Sequence, residues 1–225
     1  MHLFEFSNKL PGYKAFLYSS NDKVDTNNIE LRRSILNQVI GSVSSISFPI
    51  QVHSNRVVWS GLNVIHKSYD GILSTYGDKN FISIQVADCV PIYIIDKDSG
   101  SYGLVHSGWR GSLDSIVLNA VKELEYKGSS LNNLYFFLGP HIKQDEYEVG
   151  SDVALKFSSD CIKIIDKKYY LSIKGKIIND LKSYGIDEEN ITVSNISTYK
   201  DRRCQSFRRD RHRAGTMYAF LGIYE

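Results

Sequence analysis

Three short apolar runs in the middle of the chain constrain its fold more than any other feature. They are Phe81–Val86 (FISIQV), Pro91–Asp96 (PIYIID) and Tyr102–His106 (YGLVH). Each is rich in β-branched and aromatic residues, and "DKDSG" turns the chain from the second into the third, so they read as strands of a core sheet. Between the first two stands "ADC", and after the third comes "SGWRG". Polar and reactive side chains therefore sit where the apolar runs stop.

The flanking segments supply helices and further strands. Ile29, Ile35, Leu36, Val39 and Ile40 recur at helical spacing, with Asp25, Thr26 or Asn27 as caps. "FPIQVHSNRVVWSG" reads as two short strands around a turn at Ser54-Asn55. Ser112 is placed to cap a helix running to about Glu125, with Ile116, Val117, Ala120, Val121 and Leu124 on one face and "KGSS" closing it. "LNNLYFFLGPHI" reads as a buried strand, "SDVALKFSSD" and "KGKIINDLKSYGI" as helices, and "ITVSNIST" and "TMYAFLGIY" as strands. Helices are interspersed without strict alternation. This predicts an α+β fold with a mixed β-sheet core flanked by helices, in αββα-type layers. No repeat, linker or low-complexity tract divides residues 1–225, so one domain is expected.

Composition sets the partner classes. Twenty-seven basic and 25 acidic residues leave a formal charge of +2, which gives no reason to invoke nucleic acid or a membrane surface. No run approaches the apolar length of a membrane span, and the N-terminus lacks a signal-peptide pattern. Three cysteines, Cys89, Cys161 and Cys204, argue for a reducing, cytoplasmic setting. One local exception is "RRCQSFRRDRHR", with six arginines between Arg202 and Arg213. Such a run is usually a solvated face, but arginine also suits a bidentate anion site.

His53 follows a strand, Cys89 lies between two strands, and His106 ends a strand before a helix. A thiolate with two imidazoles is a sound zinc set that leaves a fourth position open. The spacing of the three matches no local metal signature, and each has a plain structural alternative as a packed residue. In "HSGWRG", Gly108 and Gly111 either shape a turn or bring backbone N–H groups to an anion beside Arg110. Asp88 either closes a turn or shuttles protons.

At these residues the chain resembles the YfiH-like laccase-domain family, also described as purine nucleoside phosphorylases and peptidoglycan editing factors. The matching pieces are QVHS (51–54), VADCVPI (86–92), HSGWRG (106–111), LGPHI (138–142), YEVG (147–150) and SFRRD (206–210). The resemblance implies a Zn2+ site from His53, Cys89 and His106, with Cu2+ as the alternative. It also implies phosphorolysis of adenosine, inosine, guanosine and S-methyl-5'-thioadenosine, with adenosine deamination as a second activity. Partners are then small-molecule nucleosides and phosphate, and a monomer or small homo-oligomer is expected. Cys89, Asp88 and Glu148 are the candidate catalytic residues. Gln51, Arg110, Arg208 and Arg209 are the candidates for binding phosphate or substrate. The chain departs from the family pattern at Asp145-Glu146, where many members carry a cysteine pair. It departs again at Gly215-Thr216, where members usually have Gly-Arg, so any phosphate role of that arginine passes to Arg208, Arg209 or Arg213.

Two other chemistries fit parts of this set. A metal-free Cys–His hydrolase acting on cell-wall precursors would use Cys89 as nucleophile and His106 as base. Copper-dependent polyphenol oxidation fits poorly, because a trinuclear cluster needs more ligands than the six histidines allow.

Overall fold

The computed structural model describes residues 2–20 and 27–223. Its strands are β1 (His2–Glu5), β2 (Lys14–Ser20), β3 (Ile46–Ile50), β4 (Val57–Trp59), β5 (Ile65–Lys67), β6 (Gly71–Ser74), β7 (Phe81–Val86) and β8 (Val90–Asp96). They continue as β9 (Tyr102–Ser107), β10 (Leu134–Leu138), β11 (Glu148–Val149), β12 (Ile162–Ile165), β13 (Lys168–Leu171), β14 (Ile191–Val193) and β15 (Thr216–Gly222). The helices are α1 (Ile29–Ile40), α2 (Trp109–Leu113), α3 (Ile116–Tyr126), α4 (Ser151–Ala154), α5 (Ile173–Tyr184) and α6 (Phe207–Asp210).

Two six-stranded sheets carry the fold, ordered β1-β2-β15-β7-β3-β5 and β14-β10-β8-β9-β6-β4, beside a small β11-β13-β12 sheet. Both large sheets are mixed. β15 runs antiparallel to β2 and β7 while β3 runs parallel to β7 and β5. In the second sheet β8 is antiparallel to β9 and β10, with β14 parallel to β10.

The period-2 alternation of strands explains the layers. On β8, Tyr93 and Ile95 face the other large sheet, whereas Ile92 and Ile94 face α3 and α5. On β15, Met217, Ala219 and Leu221 face inward, whereas Tyr218 and Phe220 face α1. Both sheets are thus covered on both faces, giving the expected α/β/β/α order and explaining why the central runs are apolar throughout. Tyr93 also ties the sheets together, its buried hydroxyl donating to the Phe16 carbonyl at 3.0 Å. Beneath α1, the buried Arg32 guanidinium lies 3.9 Å from the Phe48 ring centroid and donates to Ser83 Oγ.

Several local expectations are corrected. The cap of α1 is Asn28, whose side chain accepts from the Glu30 and Leu31 backbone N–H groups; Asp25 and Thr26 lie outside the described residues. Ser112 caps nothing. It sits inside α2, hydrogen-bonded to Ser107 Oγ, and α3 begins anew after Ser115, whose φ of 52° breaks the helix. Only Ser151–Ala154 of "SDVALKFSSD" is α-helical, and a 3-10 turn over Ser159–Cys161 follows. The two short strands around Ser54-Asn55 are present as β3 and β4, which belong to different sheets. The N-terminal strands β1 and β2 were not legible in the sequence. No helix among the described residues is long and apolar enough to cross a membrane.

The Tyr93 tie can be tested by denaturation. Tyr93→Phe is expected to cost about 1 kcal/mol, the worth of one buried hydrogen bond. Tyr93→Ala should cost about 3–5 kcal/mol through the cavity it leaves. Urea unfolding followed by circular dichroism measures both.

Candidate metal centre and its flanking cavities

The chain crosses between the two large sheets at one end of the sandwich, and the candidate ligands hang from these crossings. Residues 51–56 link β3 to β4, and Ala87-Asp88-Cys89 links β7 to β8. His106 projects from the end of β9. Two crossing residues adopt the left-handed backbone region, His53 with φ 59° and Asp88 with φ 87°. Non-glycine residues rarely hold that conformation unless their surroundings impose it.

For His53 the constraint is Asp70, which is fully buried just before β6. Its carboxylate accepts the backbone N–H groups of Val52, His53 and Ser54 at 3.2, 2.9 and 2.6 Å, and the Ser54 hydroxyl at 2.8 Å. It also accepts from His106 Nδ1 at 2.9 Å. Burial pushes the Asp70 carboxyl up, but the His106 and Ser54 hydrogen bonds outweigh it and hold it at about 2. One carboxylate therefore sets the backbone under His53 and the ring orientation of His106. With Nδ1 donating to Asp70, Nε2 of His106 is free to face Cys89.

Asp88 is fixed by its own side chain. Its carboxylate accepts Thr198 Oγ1 at 2.7 Å and the Arg208 backbone N–H at 2.6 Å, while its carbonyl accepts Ile142 N–H at 3.0 Å. This holds Cys89 at the mouth of β8.

The ligand atoms of His53, Cys89 and His106 all lie within 4.8 Å of one another. The two rings meet edge to face with centroids 4.8 Å apart. Burial raises the Cys89 thiol, but His106 and His53 outweigh it and bring it down to about 6. The Cys89 and Asp70 charges in turn lift His106, against the effect of burial, to about 9. Gly108 completes the cradle. A Cβ there would stand 3.0 Å from Cys89 Sγ and 3.3 Å from His53 Cδ2, so any side chain would intrude on the ligands. A thiolate-prone cysteine, two imidazoles and the Asp70 carboxylate behind one of them fit a zinc or copper ion. Among the described residues this is one three-ligand set, suited to a single ion.

Two cavities meet at this set and share His53, Ala87, Cys89 and Phe207 as their common wall. One, of about 330 Å³, is lined by uncharged polar groups that include Asn27, Gln51, Gln85 and Thr216. The other, of about 370 Å³, is lined by Trp109 and Tyr147 together with Arg110, Arg208 and Arg211.

The multi-copper polyphenol oxidoreductase laccase family matches residues 9–224. A purine nucleoside phosphorylase of Clostridium acetobutylicum is 32% identical over 186 residues, which cover 80% of this chain and 78% of the relative. The chain belongs to this laccase-domain family. A purine nucleoside phosphorylase of Staphylococcus saprophyticus is 29% identical over 213 residues, 87% of this chain and 80% of that one. Among solved structures, YlmD from Geobacillus stearothermophilus aligns with a TM-score of 0.86 at 22% identity, covering 96% of this chain and 93% of that one. Bacillus licheniformis YfiH aligns with a TM-score of 0.85 at 22% identity, covering 97% and 94%.

In this laccase-domain chain the other sequence candidates separate clearly. Arg110 and Arg208 reach the second cavity, stacked against Trp109 and Tyr147 with their carbons 4.3 and 5.1 Å from the ring centroids. Neither guanidinium has a carboxylate partner among the described residues. Arg209 is placed otherwise. It is paired with Asp210 and donates to the Thr198, Tyr199 and Cys204 carbonyls, so its donors are spent on the loop before α6. Arg213 lines neither cavity; Arg211, not singled out from the sequence, does. Gln51 lines the first cavity but both ends of its amide bond the Gln85 backbone, tying β3 to β7. Glu148 lies in β11, half-exposed and paired with Lys168 at 3.0 Å, and lines neither cavity. The Asp88 carboxylate lines the second cavity and is engaged there by Thr198 Oγ1 and the Arg208 backbone N–H. Sequence reasoning missed Asp70, which stands alone before a strand, and Phe207, whose 58% exposure puts an aromatic ring on the wall between the cavities.

Asp70→Asn is expected to weaken metal binding by about 10–100-fold, as loss of a carboxylate behind a ligating histidine does. Cys89→Ala should lose most of the bound metal. Competition against a chromophoric chelator, with metal content by mass spectrometry, measures both, and unchanged affinity in the two variants would overturn the assignment.

Proposed function

We propose that this protein is a zinc-dependent purine nucleoside phosphorylase. Its substrates are adenosine, inosine, guanosine and S-methyl-5'-thioadenosine, with adenosine deamination as a second activity. The observation that carries the reading is the arginine-bearing cavity opening directly beside the His53–Cys89–His106 set. The names of the relatives in Clostridium and Staphylococcus point the same way.

In phosphorolysis a phosphate oxygen bonds to C1′ as the C1′–N9 bond breaks, and the bonding pair leaves with the purine. Rate then depends on holding the anion in line with C1′ and on stabilising the charge that moves to the base. Among the described residues neither Arg110 nor Arg208 has an ion-pair partner, the Asp88 carboxylate in the same lining being engaged by Thr198 and the Arg208 backbone, and Arg211 adds a third cation. Stacking on Trp109 and Tyr147 stiffens the first two, so less freedom is lost when an anion binds. Phe207, Trp109 and Tyr147 give apolar surface for the flat base. Asn27 and Gln85 give the adjoining cavity amide groups suited to a purine edge or ribose hydroxyls. His53, Cys89 and His106 would hold Zn2+, which when bound supplies a Lewis acid for a substrate oxygen. Asp88 keeps the two halves aligned, because its carboxylate ties the start of α6 to the loop that carries Cys89.

A second reading is a Cys–His hydrolase acting on cell-wall precursors, favoured by the Cys89 thiol lying against His106 at an open cavity. The two readings differ in their response to phosphate and metal. Free base and ribose 1-phosphate should form from adenosine and inosine only with phosphate present, and metal removal should abolish their formation. Arg110→Ala and Arg208→Ala should each raise KM for phosphate about tenfold or more, the worth of one charge-assisted hydrogen bond. Arg209→Ala should instead lower thermal stability with little change in that KM. Chromatography of products with and without phosphate, before and after chelation, decides. Cleavage that ignores phosphate and survives chelation would favour the hydrolase.

A further inference from the structure

A third cavity, of about 340 Å³, lies behind the arginine cavity, and Ile142 and Ile173 line both. Its polar lining includes His141, Lys143, Ser172, Lys174 and Asn195, and one carboxylate, Asp145. Nothing in the proposed reaction uses these groups.

Lys143 is held in a way that leaves one donor open. Its Nζ donates to the Ser194 carbonyl at 2.7 Å and meets His141 Nε2 at 3.3 Å. His141 is buried, and its Nδ1 lies 2.7 Å from the Gly139 carbonyl. A carbonyl only accepts, so Nδ1 carries the hydrogen and Nε2 offers its lone pair to Lys143. Burial and the Lys143 charge push His141 down to about 3, which keeps the ring neutral. An ammonium has three N–H donors; two are engaged here, and the third is left for the cavity.

Two cations and one carboxylate line this cavity. Lys174 has no ion-pair partner among the described residues. The nearby carboxylates are engaged elsewhere. Asp145 pairs with Lys163 at 2.7 Å, and Glu146 accepts from Ser197 Oγ and the Lys143 backbone N–H while lying 3.4 Å from Lys200. Burial and the Lys174 charge lower the Lys143 ammonium to about 8, even with Glu146 nearby. Two cations reach one cavity, one of them oriented by two fixed acceptors, and the carboxylate that also lines it, Asp145, is paired with Lys163.

We propose that this cavity is a second oxyanion site, in which Lys143 and Lys174 bind the phosphate group of free phosphate or of a small phosphomonoester. The site is separate from the arginine cavity and does not depend on the phosphorylase reading. Its test reads binding rather than turnover. The intact wild-type protein is acylated with acetic anhydride, and each lysine is quantified by peptide mass spectrometry. Labelling is compared in inorganic phosphate, in ribose 5-phosphate, and in sodium chloride of matched ionic strength. Lys143 and Lys174 should be protected about tenfold relative to chloride, while the exposed Lys168 is unchanged. Protection by both probes shows that the phosphate group suffices, and protection by ribose 5-phosphate alone assigns an ester. Protection by neither overturns the proposal. Equilibrium dialysis with labelled phosphate then compares Lys143→Met/Lys174→Met with Arg110→Ala/Arg208→Ala. The lysine variant should lose one class of bound phosphate that the arginine variant keeps, and identical binding by wild type and lysine variant would also overturn the site.

Discussion

The Asp70 carboxylate is the contact on which the functional end of this molecule depends. It is fully buried, yet it accepts from three consecutive backbone N–H groups, a hydroxyl and an imidazole. A buried anion is costly unless its lone pairs are filled, and here five donors fill them. Those donors come from residues 52–54 and from His106, which flank the candidate ion from two directions. The positive φ of His53, the orientation of His106 and the thiolate character of Cys89 all follow from this one arrangement.

How far the sequence reveals the site depends on where each residue acts. His53, Cys89 and His106 are legible because a thiol and two imidazoles fall beside the ends of apolar strands, within segments that resemble the family's motifs. The four layers are legible because runs such as Val90–Ile95 can only be covered on both faces. Asp70 is not legible, since its partners are brought to it by tertiary folding and no spacing records them. Carboxylates show the same limit. Asp88 and Glu148 are equally plausible proton carriers on paper, but one is locked to Thr198 and Arg208 while the other pairs with Lys168 at the surface. Helical periodicity runs unbroken through residues 112–125, and it conceals the left-handed turn at Ser115 that splits the helix.

The arginine run shows why composition alone does not define an anion site. Arg208 and Arg209 are adjacent and identical in type, yet the four-residue helix α6 sends them to opposite tasks. Arg208 faces the cavity and stacks on Tyr147, whereas Arg209 turns back into a cage of carbonyls. What separates them is whether backbone acceptors already saturate the guanidinium, which only the folded chain decides.

The placement of the three candidate ligands beside the sheet crossings has a mechanical consequence. His53 follows a strand of one large sheet, His106 ends a strand of the other, and Cys89 sits on the link between them. An ion held by all three would be a clasp across the open end of the sandwich, closing by coordination a seam that elsewhere is held by apolar contact and by the hydroxyls of Tyr13, Tyr93 and Tyr102. Because such an ion binds the folded chain and has no preformed site in the unfolded one, its binding energy adds to folding stability. Melting temperature would then be a gauge of metal occupancy, and the chain short of the metal would be the looser protein.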